Sequence, residues 1–169
     1  AVPWAAARAW LLEGTNPYDE TVLGVASEAL NDSQYLGELP DQEALSIPIT
    51  SLVFYLPFSL IPFSLSRALW MTLLVICTGL IGYLSLKLAG WSLSSLELSG
   101  IILLLIGWLP GIFSILTGDL SPFIILLILA GIYLIQNGQD TTAGFLLALT
   151  FGAVPTTFFI LTMIVVWSF

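Results

Sequence analysis

The amino-acid sequence predicts an all-α membrane protein, a polytopic helical bundle with short interfacial helices at its amino end. Of its 169 residues, 58% are hydrophobic and 8% are charged, whereas roughly a quarter of the residues of a soluble domain are charged. Long runs have no charged side chain: 44–66, 68–86, 98–118, 120–139 and 141–169. About 20 apolar residues let a helix cross a bilayer. The apolar residues are also continuous rather than alternating as in a membrane β-barrel, which favours helices with internally satisfied backbones.

Residues 1–46 form a polar head that we expect to lie outside the membrane core. Residues 1–12 predict a helix too short to cross, and its Trp and Leu side chains are typical of a helix lying in the membrane surface. Pro17 then predicts a turn, because it fixes its own backbone and restricts Asn16. Asp19 is placed to cap a second short helix at about 20–31, and a polar loop follows at 32–46.

Residues 47–63 predict a short or re-entrant membrane segment broken by prolines at positions 48, 57 and 62. Each proline removes a helical hydrogen bond, so one straight helix is not expected. Residues 64–169 predict about four crossings, at 65–88, 99–117, 121–136 and 142–168. Pro155 is expected to kink the last of these.

The net charge of −8 is concentrated in the head, where eight of the eleven acidic residues precede residue 44 and Arg8 is the only cation. Nucleic acid is therefore excluded as a partner, because binding it needs clustered Lys and Arg. The acidic run lacks the alternation of a calcium loop, so no metal site is predicted. The absence of His excludes imidazole ligation of a haem.

Four residues are candidates for substrate binding: Tyr18, Asp19, Asp119 and Ser121. A turn-and-cap role explains Tyr18 and Asp19 as well as a sugar contact does. Asp119 lies between two apolar runs, where a carboxylate is costly unless it reaches water, a partner or a substrate. A short turn at the membrane interface would remove that cost.

The order of these features resembles glycosyltransferase family 87, polytopic enzymes of the GT-C class related to polyprenyl-phosphate-mannose-dependent mannosyltransferases. The segment "ARAWLLEGTNPYD" looks like a family loop, and the prolines at 48, 57 and 62, Trp70, "GDLS" and "AGFLLALTFGAVP" follow in order. The resemblance implies transfer of a sugar from a polyprenyl-phosphate donor on the extracytoplasmic side of a cell membrane. It also implies that the acidic head faces that side, with the lipid bilayer and a lipid-linked sugar as partners and no certain cofactor.

The chain departs from the family pattern in three places. The catalytic Asp would fall just before Ala1, so no catalytic residue is predicted within this chain, and we expect an acidic residue within three positions of Ala1. Gly118-Asp119-Leu120-Ser121 stands where the family usually has Gly-Gln-x-Asn. Val154 stands where a Lys usually precedes the proline, which removes a partner for the donor phosphate.

Two functions therefore remain open. The first is a fragment or relative of a GT-C glycosyltransferase, in which the head contributes to an acceptor site. The second is a non-catalytic helical accessory subunit of a larger membrane complex, packed against other membrane subunits through glycines at positions 79, 82, 100 and 111, where small residues let helices approach.

Overall fold

The computed structural model describes residues 1–32, 48–92 and 94–151, and this part of the chain is built of helices joined by turns. The prediction of an all-α protein is confirmed for these residues. The chain forms two compact units, Ala1–Trp70 and Met71–Phe169. The acidic loop after residue 32, and the Val154–Pro155 pair with its expected kink, lie outside the described residues.

Five helices begin in the first unit: α1 (Val2–Arg8), α2 (Thr21–Asp32), α3 (Ile49–Leu52), α4 (Leu56–Ser59) and α5 (Phe63–Leu88). The chain continues from α1 as a π-helical turn, Ala9–Glu13. Gly14 ends it in the left-handed region at φ 62°, which glycine adopts without steric cost. The segment predicted as one surface helix thus changes its winding at Ala9.

Alanines of α1 and of the π-helical turn contribute to the core of the first unit. Ala5, Ala6 and Ala9 pack with Val22 and Ala26 of α2, and each of these side chains is buried. Small side chains on both helices let the backbones approach closely. Trp4 belongs to the same core and is only 9% exposed, so its ring is covered by protein, and the membrane depth expected for it stays a prediction. Trp10, at 38%, is more open.

The Pro-rich segment forms two four-residue helices, α3 and α4, instead of one helix. Tyr55 and Phe58 of this segment pack on the buried Trp70 of α5, with ring centroids 4.6 Å and 5.1 Å from the indole. These aromatic contacts fix the segment against α5 within the first unit. Its depth in a membrane remains a prediction.

The second unit continues with α6 (Ser95–Gly107), α7 (Leu109–Thr117), α8 (Ser121–Gln136) and α9 (Asp140–Phe151). Ser94 and Glu97 form a capping box at the start of α6: the Ser94 hydroxyl accepts from the Glu97 amide, and the Glu97 carboxylate accepts from the Ser94 amide at 2.9 Å. This arrangement satisfies two backbone donors that a helix start leaves without partners.

The predicted crossing at 99–117 is divided at Trp108, where α6 and α7 meet at 61°. Trp108 adopts an extended backbone, and Pro110 provides no amide hydrogen for the carbonyl four residues before it. Glycine at position 111 allows the bend, because a Cβ atom there would lie only 2.6 Å from the Leu105 carbonyl oxygen. The sequence predicted a crossing at 99–117 without this bend, and whether the bent pair crosses a membrane stays a prediction.

Among the described residues, α5 is long and apolar enough to cross a membrane by itself, and the bent pair α6–α7 would supply a second span if it is counted as one. The helix α8 is apolar but shorter. The predicted crossing at 142–168 is described only as far as Phe151. The number of crossings in a polytopic bundle therefore stays a prediction.

Close contacts at glycines join the helices of the second unit. Gly79 and Gly82 of α5 face Ile102 and Leu105 of α6, and a Cβ atom at Gly82 would lie 2.8 Å from Leu105 Cδ1. A Cβ atom at Gly131 of α8 would lie 2.8 Å from Leu147 of α9. Gly79, Gly82 and Gly111 thus serve contacts within this chain. Gly100 has no atom within 4 Å of its Cβ position.

Candidate functional site

The polar turn between α1 and α2 holds two of the four candidate residues. The Asn16 side-chain oxygen accepts from the Tyr18 amide at 3.1 Å, and the Asn16 carbonyl accepts from the Asp19 amide at 3.1 Å. The first contact is that of an Asx turn, and the second is the backbone bond of a β-turn with Pro17 at its second position. Pro17 is buried, whereas Tyr18 and Asp19 are exposed. The turn therefore fixes the backbone while its two candidate side chains stay accessible.

Asp19 holds the start of α2. Its Oδ1 accepts from the Thr21 amide at 2.9 Å and from the Thr21 hydroxyl at 2.8 Å. These two bonds, the amide first, lower the pKa of the Asp19 carboxyl below its usual value, so the group is ionised at neutral pH. Oδ2 accepts no hydrogen bond from the described residues. One oxygen of this carboxylate thus serves the fold, and the other faces outward.

Trp4 and Arg8 bind the backbone of the Pro-broken segment. The Trp4 indole nitrogen donates to the carbonyls of Phe58 at 3.1 Å and Ile61 at 3.2 Å. Arg8 Nη1 donates to the Ser59 carbonyl at 3.2 Å. Pro62 has no amide hydrogen for the Phe58 carbonyl, and unpaired carbonyls are costly in a partly buried site. Trp4 therefore supplies a donor to the Phe58 carbonyl, for which Pro62 has none, and Arg8 supplies one to the neighbouring Ser59 carbonyl.

The turn between α7 and α8 holds the other two candidates. Gly118 is left-handed, its amide donates to the Ile115 carbonyl, and the Asp119 amide donates to the Ser114 carbonyl at 3.0 Å. This is the Schellman pattern of a helix end. The Asp119 Oδ1 accepts from the Ser121 amide at 3.2 Å. The Asp119 amide thus donates to the carboxyl end of α7, and its carboxylate accepts from the first amide of α8.

The charge of Asp119 suits this position. Its Oδ2 also accepts from the Ser114 hydroxyl at 3.5 Å, and the side chain is exposed. A carboxylate at the amino end of a helix interacts favourably with the helix dipole. The helix end therefore reduces the cost expected for a carboxylate between apolar runs, without any substrate.

The four candidates fall into two pairs. Tyr18 and Asp19 are neighbours in the first unit, whereas Asp119 and Ser121 are joined by a hydrogen bond in the second.

Sequence reasoning missed Trp4 and Arg8 as hydrogen-bond donors to the Pro-broken segment. The signal was present in the proline spacing, because Pro62 predicts a missing donor for the Phe58 carbonyl.

A third polar group lies at the carboxyl ends of α5 and α8. The Lys87 ammonium lies 4.6 Å from the ring centroid of Tyr133 and 5.7 Å from that of Tyr83. Trp91 follows at 65% exposure. A lysine stem among aromatic rings is typical of the boundary between hydrocarbon and headgroups.

In the ranges 1–32, 48–92 and 94–151, no cluster of three acidic or thiol side chains suits a metal ion.

Comparison with known proteins gives one family. The sequence model of glycosyltransferase family 87 matches residues 47–167, which is most of the chain. Asp119 and Ser121 lie inside the matched range, whereas Tyr18 and Asp19 precede it. No curated protein and no solved structure matches. The family inferred from the sequence motifs is thereby confirmed.

Proposed function

This chain belongs to glycosyltransferase family 87, and we propose that it works as an integral membrane glycosyltransferase of the GT-C class or as part of one. In this proposal the enzyme moves a sugar from a polyprenyl-phosphate donor to an acceptor on the extracytoplasmic side of a cell membrane. The observation that carries the proposal is the family match, which extends from the Pro-broken segment to beyond α9.

The surface of the second unit supports a membrane location. Leu103, Leu104, Leu109 and Phe113 of α6 and α7 are between 62% and 82% exposed. A large apolar surface of this kind is unfavourable in water and suits lipid. The 26 residues of α5 give a helix about 39 Å long, which exceeds the ~30 Å hydrocarbon layer. Lys87 and the surrounding aromatic side chains would then mark one membrane surface.

The chemistry of the reaction assigns different tasks to the polar groups. The acceptor hydroxyl must lose a proton as it attacks the anomeric carbon, which calls for a carboxylate base within hydrogen-bonding reach. In this proposal Asp19 does not act as that base. Its low pKa makes it a poor proton acceptor, but the outward Oδ2 suits a hydrogen bond from a sugar hydroxyl. Tyr18 beside it is 39% exposed and offers a ring face on which a sugar could pack.

Asp119 and Ser121 of the second unit are proposed as substrate contacts independently of Asp19. The Asp119 carboxylate and the Ser121 hydroxyl share one exposed turn, which a sugar hydroxyl or a polar acceptor group would reach from water. The helix-end role accounts for the backbone contacts of both residues. A substrate role therefore has to be tested separately from the structural one.

The test is transfer of a sugar from a polyprenyl-phosphate-linked donor by the purified protein from its full reading frame, measured as release of polyprenyl phosphate. Asp19→Asn keeps an oxygen acceptor for Thr21 but removes the charge, and Glu20→Gln removes a neighbouring exposed carboxylate as the control. We expect Asp19→Asn to reduce kcat/KM by about tenfold or more, as loss of a charged hydrogen bond does, and Glu20→Gln to have little effect.

Failure of transfer by the full-length protein, together with failure to bind the donor lipid, would contradict the proposal. Copurification with other membrane chains in mild detergent would then favour the accessory-subunit function.

A further inference from the structure

Residues 1–43 contain eight acidic side chains and a single basic one, Arg8. Among the described residues, Arg8 forms no ion pair with a carboxylate. Its guanidinium has two contacts there. Nη1 donates to the Ser59 carbonyl at 3.2 Å, and Cζ lies 5.5 Å from the centroid of the Trp4 ring. A guanidinium carries five N–H donors, so most of its hydrogen-bonding capacity is not used by these residues.

The position of Arg8 is fixed from three sides. It belongs to the last turn of α1, and its Cζ lies 5.5 Å from the ring centroid of Trp4, one helical turn earlier. Nη1 is bonded to the Ser59 carbonyl, and Trp4 is itself held by the carbonyls of Phe58 and Ile61. The side chain is half-buried. A guanidinium that is held in place loses little entropy when it binds a ligand, and its planar fork matches the oxygens of a phosphate.

We propose that Arg8 binds the phosphate group of a lipid, with Trp4 and the Ser59 carbonyl as the groups that position its guanidinium. A partly desolvated cation is stabilised by an anion that brings several acceptor oxygens. Phosphate provides them in a geometry that the remaining N–H groups can use together. The inference deepens the proposed function, on which it rests for the sugar-carrying lipid.

The donor lipid and an ordinary phospholipid headgroup carry the same phosphate chemistry. Binding is therefore measured calorimetrically on the full-length protein in detergent with four probes: farnesyl phosphate, farnesol, a short-chain phosphatidic acid and inorganic phosphate. We expect farnesyl phosphate to bind and farnesol to bind at least about tenfold more weakly, since the charged hydrogen bonds are lost. Competition by phosphatidic acid would mean that any lipid phosphate is accepted. Its failure to compete would mean that the isoprenoid chain is also recognised.

Arg8→Gln should weaken the binding of farnesyl phosphate by about 10- to 100-fold, through loss of the charged hydrogen bonds. Lys87→Gln, which removes a cation of the second unit, should leave it unchanged. Wild-type affinity in an Arg8→Gln variant that melts like the wild type would overturn the proposal. Equal binding of farnesol and farnesyl phosphate would do the same.

A second measurement covers the case in which Arg8→Gln does not fold. Phenylglyoxal modification of the wild-type protein, followed by mass spectrometry of the Arg8 peptide, should be slowed by farnesyl phosphate and not by farnesol. An unchanged rate would overturn the proposal.

A sugar-transfer assay distinguishes failure of the proposed function from failure of the phosphate site at Arg8. Binding that needs Arg8 without any transfer would remove only the proposed function, and transfer with an unchanged donor KM in Arg8→Gln would remove only the phosphate site.

Discussion

The indole of Trp4 donates to the carbonyl of Phe58 at 3.1 Å, the carbonyl whose helical donor would stand at Pro62. In the described residues, the other donor to this oxygen is the Ile61 amide, at a longer 3.5 Å. A side chain 54 positions earlier in the chain thus completes the backbone of the Pro-broken segment. The same indole bonds Ile61, so one donor group serves both ends of this break.

Replacing Trp4 by phenylalanine should destabilise the first unit. The variant keeps an aromatic ring near Phe63, now 5.5 Å from the indole, but leaves two partly buried carbonyls without this donor. We expect a loss of about 1–3 kcal/mol in the free energy of unfolding, measured by circular dichroism in detergent. Trp91→Phe, at a site 65% exposed, is the control and should melt like the wild type. Equal stability of both variants would show that the break needs no such donor.

The local turns were largely predictable from the sequence, because their chemistry is carried by adjacent residues. Asp19 was expected to cap a helix and its carboxylate holds Thr21. Glu97 forms a capping box with Ser94. Gly118 ends α7 in the left-handed region, as a glycine ahead of a turn predicts. In each case the decisive partner lies within five positions.

Features that depend on distant partners were not predictable in this way. The hydrogen bonds of the buried Trp4 go to the carbonyls of Phe58 and Ile61, which lie 54 and 57 positions later, and nothing near Trp4 in the sequence indicates them. The bend at Trp108 depends on two features, the missing amide hydrogen of Pro110 and the close approach of Gly111 to the Leu105 carbonyl. The uninterrupted apolar run at 98–118 indicates that the segment suits lipid. It does not indicate a bend, because the hydropathy of a segment is the same whether its helix is straight or bent.

Gly131→Ala should disturb the packing of α8 against α9. The added methyl group would lie 2.8 Å from Cγ and Cδ2 of Leu147, which is closer than carbon atoms tolerate. Overpacking of this kind costs about 1–3 kcal/mol, observable as a lower melting temperature. Gly144→Ala in α9, with no atom within 4 Å of the added methyl group, is the matched control. Restoration by Leu147→Ala would assign the effect to this pair, and its failure would assign it elsewhere.

Replacement of Asp119 should separate its helix-end role from a role in binding. Asp119→Asn keeps an oxygen that can accept from the Ser121 amide, whereas Asp119→Ala removes it. Loss of such a cap typically costs about 1 kcal/mol, so only the alanine variant should melt at a lower temperature. If the charge contacts substrate, both variants should lose sugar transfer. Transfer by Asp119→Asn at the wild-type rate would leave Asp119 with the structural role alone, and Asp140→Asn controls for loss of a carboxylate at another helix start.

The pH dependence of stability should change when Asp19 is replaced by asparagine. The Thr21 amide and hydroxyl lower the pKa of Asp19 in the folded protein, whereas an aspartate in the unfolded chain titrates near about 3.9. Asp19 therefore contributes stability that is complete above the unfolded value and is lost as the pH falls through the folded value. The melting temperature of the wild type should exceed that of Asp19→Asn by a constant amount from pH 7 to about 5 and then approach it in stronger acid. Thr21→Val removes the hydroxyl donor but keeps the amide, so the pKa of Asp19 should be lowered less in this variant. Its loss of stability should begin at the same pH as that of the wild type, be smaller, and be complete at a higher pH. Parallel melting curves for the wild type and Asp19→Asn down to pH ~3 would show that the bonds to Thr21 do not favour the ionised carboxylate.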